Sequence, residues 1–336
     1  MNILYFTSDE GEYLSDSLLH GLKKIYSSNV VDFPKCDRMY IGHSIPMNSF
    51  HGLGFTLYNG LIEEDQTDRN NIMKKVKANF FDLIIFSDIE RQYFYFHWLY
   101  PFLDRKKTII IDGNDFTNLF PYSGIWLRKI EYYKHLNDFS KFLYFKREWT
   151  QDTVFSLTSY FLNKLGIRFK SKLNNINKIS YSFPKEKIYR GDVKKEKTFV
   201  SHIVDKDVSQ KLNTSSISYK FDNENDYYKD LQISKFGITT KKGGWDCLRH
   251  YELAANKCLP CFKNLNLKPD TCAPHGLNKK NCIIYDSPDD LLRKIENISE
   301  AEYLEILNNS YDWINQNTTE IRAMEVINKW FNQNKI

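Results

Sequence analysis

The feature that most narrows the fold is an alternation of short apolar runs with longer amphipathic stretches through the first half of the chain. The run Phe81-Asp-Leu-Ile-Ile-Phe-Ser-Asp is apolar at successive positions, as a strand covered on both faces must be. Residues 2–6, 39–41 and 108–111 read as companion strands, with 142–145 as a further short one. After the first of them, Leu14, Leu18, Leu19, Leu22 and Ile25 recur at helical spacing. Strand and helix in alternation specify a parallel sheet with helices on its faces. Ligands of such sheets gather beyond the carboxyl ends of the strands, which singles out Asp9 and Glu10, His43, Asp88, and Asp112 with Asp115. Each of these types is also at home as a turn or cap residue.

At 336 residues the chain is long for one core, so two domains are expected. The polar stretch 181–197, with Ser-Phe-Pro-Lys-Glu-Lys and Lys-Lys-Glu-Lys, reads as a linker between an N-terminal domain (1–180) and a C-terminal one (198–310). Strands are expected at 198–203, 235–240, 259–262 and 281–285, and a helix at 246–256. Ser287-Pro-Asp-Asp opens another helix, with Ser as cap and acids in the first turn. In the last segment, 311–336, Asn317 reads as a cap with Glu320 three residues on, and Ala323, Ile327, Trp330 and Phe331 make one apolar stripe. The expected architecture is therefore α/β, two Rossmann-like domains with a C-terminal helix packing back across the domain boundary.

Composition excludes several classes. With 42% hydrophobic and 26% charged residues the chain is globular, not disordered. No apolar stretch reaches the eighteen or so residues of a membrane span. Met1-Asn-Ile-Leu enters an apolar run without a basic leader, so a cytoplasmic protein is expected. Six scattered cysteines read as reduced thiols. Forty-seven basic residues against 42 acidic ones demand no long nucleic-acid track; an anionic small ligand or an acceptor at a membrane surface suits the balance.

The most informative segment runs from Ser234 to Pro260. A strand, the Gly243-Gly244 turn and a helix in that order bring free N–H groups and a positive dipole end to one point, a cradle for phosphate, with Lys241 and Lys242 just before it. Arg249, Glu252 and Asn256 are spaced i, i+3, i+7 and share one helix face. That stripe could be a solvated face, but it begins beside the cradle.

The order Arg249-x-x-Glu252-x-x-Ala255, then a short loop and Leu259-Pro260, resembles the donor-binding helix of GT-B glycosyltransferases, including phage DNA glucosyltransferases and exostosin-like enzymes. Tyr144-Phe-Lys-Arg-Glu and Ile179-Ser-Tyr-Ser-Phe-Pro are similar to the interdomain stretch of bacterial members. The resemblance implies that Glu252 grips ribose hydroxyls and Arg249 meets the diphosphate of a nucleoside diphosphate sugar, with no metal or other cofactor. A carboxylate and a guanidinium suit those roles. Retaining members often carry Glu-x7-Glu, whose first position is Gly244 here, which points to an inverting transfer. Inversion needs a general base on the first domain. Asp112 and Asp115 rank first, then Asp9, Glu10 and His43. The acceptor implied is a hydroxyl of a glycan or lipid-linked glycan. DNA base glycosylation, polyol-phosphate transfer and sugar-nucleotide epimerisation are alternatives on the same fold, and a catalytically dead regulatory domain is one outside it.

Cys258-Leu-Pro-Cys261 with Cys272 and His275 has zinc-ligand spacing, C-x2-C-x10-C-x2-H. A tight loop for Cys258 and a buried strand for Cys261 make them small hydrophobes instead, so no zinc is expected. No HExxH, Walker loop, G-x-G-x-x-G or nucleophile elbow is present.

Overall fold

The computed structural model describes residues 1–8, 10–45, 57–122, 134, 139–167, 176–192, 194–213 and 220–334. The first six strands, β1 (Ile3–Phe6), β2 (Val30–Phe33), β3 (Leu83–Phe86), β4 (Thr108–Asp112), β5 (Leu143–Lys146) and β6 (Ile176–Lys178), form one parallel sheet in the order β2-β1-β3-β4-β5-β6. The chain leaves β1 for β2 on one side and returns to β3 on the other. A crevice therefore opens at the carboxyl ends of β1 and β3.

Period-two alternation assigns the faces. Ile3 and Tyr5 share a core with Leu14, Leu18 and Leu22 of α1 (Tyr13–Tyr26). Leu4 and Phe6 share the other with Val76 of α2 (Ile72–Lys77) and Phe96 of α3 (Ile89–Leu99). A short α4 (Leu157–Lys164) lies between β5 and β6.

The second sheet is β7 (Lys197–Phe199), β8 (Ser234–Thr239), β9 (Leu259–Lys263) and β10 (Ile283–Tyr285), parallel in the order β10-β9-β8-β7. Helices α5 (Lys206–Lys211) and α6 (Glu224–Ile233) follow β7, and α7 (Leu248–Ala255) links β8 to β9. Gly237 admits α7 against the sheet, since a Cβ there would lie 2.1 Å from Leu253 Cδ2. After β10 come α8 (Pro288–Asn297), capped by Ser287 as its sequence announces, α9 (Glu300–Asn315) and α10 (Thr319–Asn334).

The last helix does pack back on the first domain. Gly21 of α1 has no room for a Cβ, which would fall 2.0 Å from the Thr319 carbonyl oxygen. His20 Nδ1 pairs with Thr319 Oγ1 at 2.8 Å, and Trp330 Nε1 donates to the Lys106 carbonyl at 2.6 Å. Ala323, Ile327 and Trp330 are buried, whereas Phe331 is exposed.

Two expectations are corrected. Residues 39–41 are not a strand: they end a 3-10 turn (Asp37–Met39) and make a single bridge, Tyr40 to Ile62. The second strand is Val30–Phe33, whose pattern is interrupted by a buried acid. Asp32 is accommodated by Arg69 Nη2 at 2.7 Å, Tyr40 Oη at 2.9 Å and the Cys36 amide at 3.1 Å. The last helix is capped by Thr318, whose hydroxyl accepts from Ile321 N, while Asn317 Oδ1 accepts from Arg322 at 2.8 Å.

Candidate active site

The carboxyl edges of the two sheets meet at the residues following β5 and β8. Arg147, one position past β5, is fully buried and spends its guanidinium on both domains. Nε donates to the Gly113 carbonyl at 3.0 Å and Nη1 to the Asp246 carbonyl at 3.3 Å. Nη2 pairs with the Asp115 carboxylate, and the cation lies 4.6 Å over the Tyr181 ring. A planar five-donor fork suits such a junction better than an ammonium would.

Glu148 completes the junction. Its Oε1 accepts from the Trp245 amide at 2.8 Å and the Asp246 amide at 3.0 Å, so the loop after β8 is held by a carboxylate from the first domain. Burial raises the Glu148 pKa, with the Arg147 charge opposing the rise. Both glycines of the turn are explained here. A Cβ on Gly243 would lie 2.1 Å from Asp115 Oδ2, and one on Gly244 2.6 Å from Glu148 Oε1. Asp246 is buried, its Oδ2 accepting from the Tyr181 amide and its Oδ1 from the Tyr251 hydroxyl, both at 2.9 Å.

At the switch point stands Glu12, the N-cap of α1. Its Oε2 accepts from Ser15 N at 2.6 Å, while its Oε1 is 3.0 Å from where a Cβ on Gly113 would be. Burial and then the nearby Asp88 charge lift its pKa to about 7, with Arg147 opposing. A half-buried carboxyl at that value exchanges protons near neutrality.

On α7 the Arg249–Glu252–Asn256 stripe is buried, not solvated. The Glu252 carboxylate receives the hydroxyls of Tyr227 at 3.2 Å and Tyr228 at 3.5 Å from α6. Burial lifts its pKa to about 7 against the pull of Arg249. Asn256 is tied to Gln232 and to the Glu252 carbonyl, both at 2.9 Å. His250 is held neutral, its pKa pushed down to about 3 by burial. Its Nε2 donates to the Trp245 carbonyl at 2.9 Å and its Nδ1 accepts from the Thr239 hydroxyl at 2.8 Å. The side chain thus fastens the Gly-Gly loop to β8.

The remaining sequence-derived residues scatter. Asp112 is 2% exposed and its oxygens are committed: Oδ1 to Lys146 Nζ at 2.7 Å and Asn114 N at 3.2 Å, Oδ2 to Tyr144 Oη at 2.8 Å and Phe120 N at 3.1 Å. That is the environment of a loop anchor. Asp115 is in the cleft, half-exposed against both glycines. Glu10 is exposed and paired with Arg91 at 2.9 Å. His43 is half-buried beyond the edge strand β2. Asp9 lies outside the described residues. Lys241 and Lys242 are exposed, Lys241 5.1 Å over the Trp245 ring. Glu12 and Asp246 stand in the same post-strand loops as Glu10 and Gly243-Gly244, and Arg147 and Glu148 lie in the Tyr144-Phe-Lys-Arg-Glu segment, so position after a strand was the available sign for these four; Tyr227 and Tyr228 carry no sequence signal of a site role.

Cys258 and Cys261 are buried, and burial raises both thiols, that of Cys258 to about 12. Among the described residues no group of three or more His, Cys, Asp or Glu is arranged to hold a metal ion. No described helix is long and apolar enough to cross a membrane.

No protein-family model matches the chain, nor does any curated protein sequence. Solved structures do. Anabaena HepE, crystallised with UDP-glucose, has a TM-score of 0.54 at 11% identity over 99% of this chain and 100% of that one. An alpha-glucosyltransferase in complex with UDP and a 13-mer DNA containing an HMU base has 0.53 at 11% identity over 99% of both. The trehalose-6-phosphate synthase OtsA has 0.51 at 9% identity over 98% of this chain and 99% of that one. With two facing Rossmann-like domains and a returning C-terminal helix, the chain has the GT-B fold of glycosyltransferases.

Proposed function

We propose that this protein is a glycosyltransferase that moves a sugar from a nucleoside diphosphate donor, in the first instance a UDP-sugar, to a hydroxyl of a glycan or lipid-linked glycan with inversion. The observation that carries the reading is the junction at Arg147: its charge acts on Glu12, whose pKa lies at about 7 at the switch point of one sheet, and its guanidinium donates to the Asp246 carbonyl of the loop that leads into α7 on the other. The neighbouring structures captured with UDP or UDP-glucose support the donor class.

In this reading the start of α7 and Lys241 and Lys242 receive the diphosphate, where N–H groups and cations offset the charge that grows as the sugar leaves. Arg249 and Glu252 complete the donor side. Glu12 takes the proton of the acceptor hydroxyl, Asp115 lines the cleft, and Asp112 positions the loop through Lys146. No metal is called on. Because trehalose-6-phosphate synthase is studied as a glycosyltransferase acting with retention, anomeric outcome is the discriminating measurement.

The test is calorimetric titration with UDP and UDP-sugars, followed by NMR of the product anomer. Binding and an inverted product support the reading; absence of binding to every nucleoside diphosphate sugar sinks it, and a retained product removes Glu12 as base. A DNA hydroxyl as acceptor is the second reading, favoured by the neighbour solved with DNA, and transfer to modified duplex DNA in the same assay decides between them.

A further inference from the structure

The outward side of α3 carries large aromatic rings in water. Its inner side, Tyr93, Phe96 and Leu99, packs on the first sheet. The outer positions Phe94 and Trp98, followed by Phe102, come at four-residue intervals. Phe94 is 70% and Trp98 55% exposed, with ring centroids 6.3 Å apart. A helix that is apolar on both sides belongs inside a larger body, and this one is covered on one side.

The stripe has a cationic border. Lys77 lies 4.9 Å over the Phe102 ring and Lys75 5.7 Å over that of exposed Phe80, so α2 and the end of α3 form one surface. Lys107 Nζ reaches Asn79 Oδ1 at 3.0 Å and brings the turn Arg105–Lys107 to the same rim. The acids of these segments are Asp68, which Lys75 holds at 2.7 Å, Asp82, Asp104 and, at the start of α3 four residues before Phe94, Glu90, which accepts from Asn114 Nδ2 at 2.8 Å; they are fewer than the cations of Lys74 to Lys77 and Arg105 to Lys107. Right-handed crossovers put α4 on this same side of the sheet, and it exposes Phe161 and Leu165 at the same spacing.

We propose that this face docks on an anionic phospholipid surface, with Phe94, Trp98 and Phe102 entering the headgroup boundary and the bordering lysines meeting lipid phosphates. Two phenyl rings beside a tryptophan whose indole has a polar N–H edge, with a basic rim, are the combination such an interface rewards. Duplex DNA would engage the lysines and leave the rings in water, because stacking requires unpaired bases. A second copy of the chain would set like charges against each other. The surface stands on its own geometry, independent of the donor reading.

The experiment is co-sedimentation of the full chain with vesicles of phosphatidylcholine alone and of phosphatidylcholine mixed with phosphatidylglycerol, with tryptophan quenching by brominated lipid tails as a measurement that needs no variant. Binding to the mixed vesicles, quenching there, and an about tenfold loss in Phe94→Ser/Trp98→Ser support the proposal. Lys75→Glu/Lys77→Glu should abolish the preference for phosphatidylglycerol. Equal partition onto neutral vesicles, or no quenching, overturns it. So does tight binding of a short duplex DNA that is lost in the lysine variant and kept in the aromatic one, or a dimer on gel filtration that the aromatic variant turns into a monomer.

Discussion

Glu148 fills the space that a side chain on Gly244 would need: a Cβ there would stand 2.6 Å from its Oε1, and the same oxygen accepts two amides of the loop that follows. The carboxylate arrives from the residues just past β5 in the first domain, so one contact joins the two domains. Gly244→Ala should push it off and cost about 2–4 kcal/mol of stability in urea titration, because two buried charge-assisted hydrogen bonds and the counter-charge of Arg147 are disturbed together. Glu148→Gln, which keeps the volume and one acceptor, should cost less. Equal losses in the two variants would show that the carboxylate charge, not the shape of the turn, is what matters.

Glu12→Gln should lower kcat by about a hundredfold or more and leave the dissociation constant for the nucleotide within a factor of about two, as expected of a group acting on the acceptor in the transition state. Wild-type kcat/KM should rise with pH through an apparent value near 7, the pKa to which burial and Asp88 bring this carboxyl. In the variant that limb should vanish. A limb that persists in Glu12→Gln belongs to another group.

Glu252 and His250 act on stability in opposite directions. The Glu252 carboxyl sits near 7 in the folded chain against an ordinary 4.5, so the folded state keeps a proton that the unfolded state has released. Its contribution is complete below 4.5 and is lost as pH rises through about 7. Glu252→Gln should therefore gain melting temperature relative to wild type between pH 5 and 8, provided the amide oxygen keeps the Tyr227 bond. His250 is a base lowered from 6.5 to about 3, so its contribution is complete above 6.5 and is lost as pH falls toward 3. Each slope is bounded by about 1.4 kcal/mol per pH unit. Melting curves across this range that run parallel for wild type and Glu252→Gln would remove the first assignment.

Gly21→Ala tests the return of α10. With the Thr319 carbonyl 2.0 Å from the new methyl, the helix cannot keep its seat on α1, and a loss of about 3 kcal/mol or more is expected. Hydrogen exchange should show α10 amides opening first. Protection of α10 equal to wild type would mean that the backbone gives way instead.

What the sequence determined alone is what short-range pattern encodes. The run through Leu83–Phe86 is apolar on both faces because it is buried on both, and no distant contact is needed to read it. The Ser287 cap and the stripe of Ala323, Ile327 and Trp330 are equally local, since caps and helical periods are set within a few residues, whereas Gly243 and Gly244 are glycines because Asp115 and Glu148 of the other domain approach them. Tertiary structure decided the surroundings of each acid. Glu10 and Glu12 stand two residues apart in one polar loop, and only the start of α1 and the approach of Gly113 separate an exposed ion pair with Arg91 from a raised carboxyl in the crevice. Asp112 and Asp115 looked alike in the chain; Lys146 and Tyr144 enclose the first, while the second faces the glycine turn of the other domain. Glu148 meets its amides 97 and 98 residues away. The charge and reach of an ionisable side chain depend on burial and on neighbours brought from distant sequence, and a local pattern carries neither.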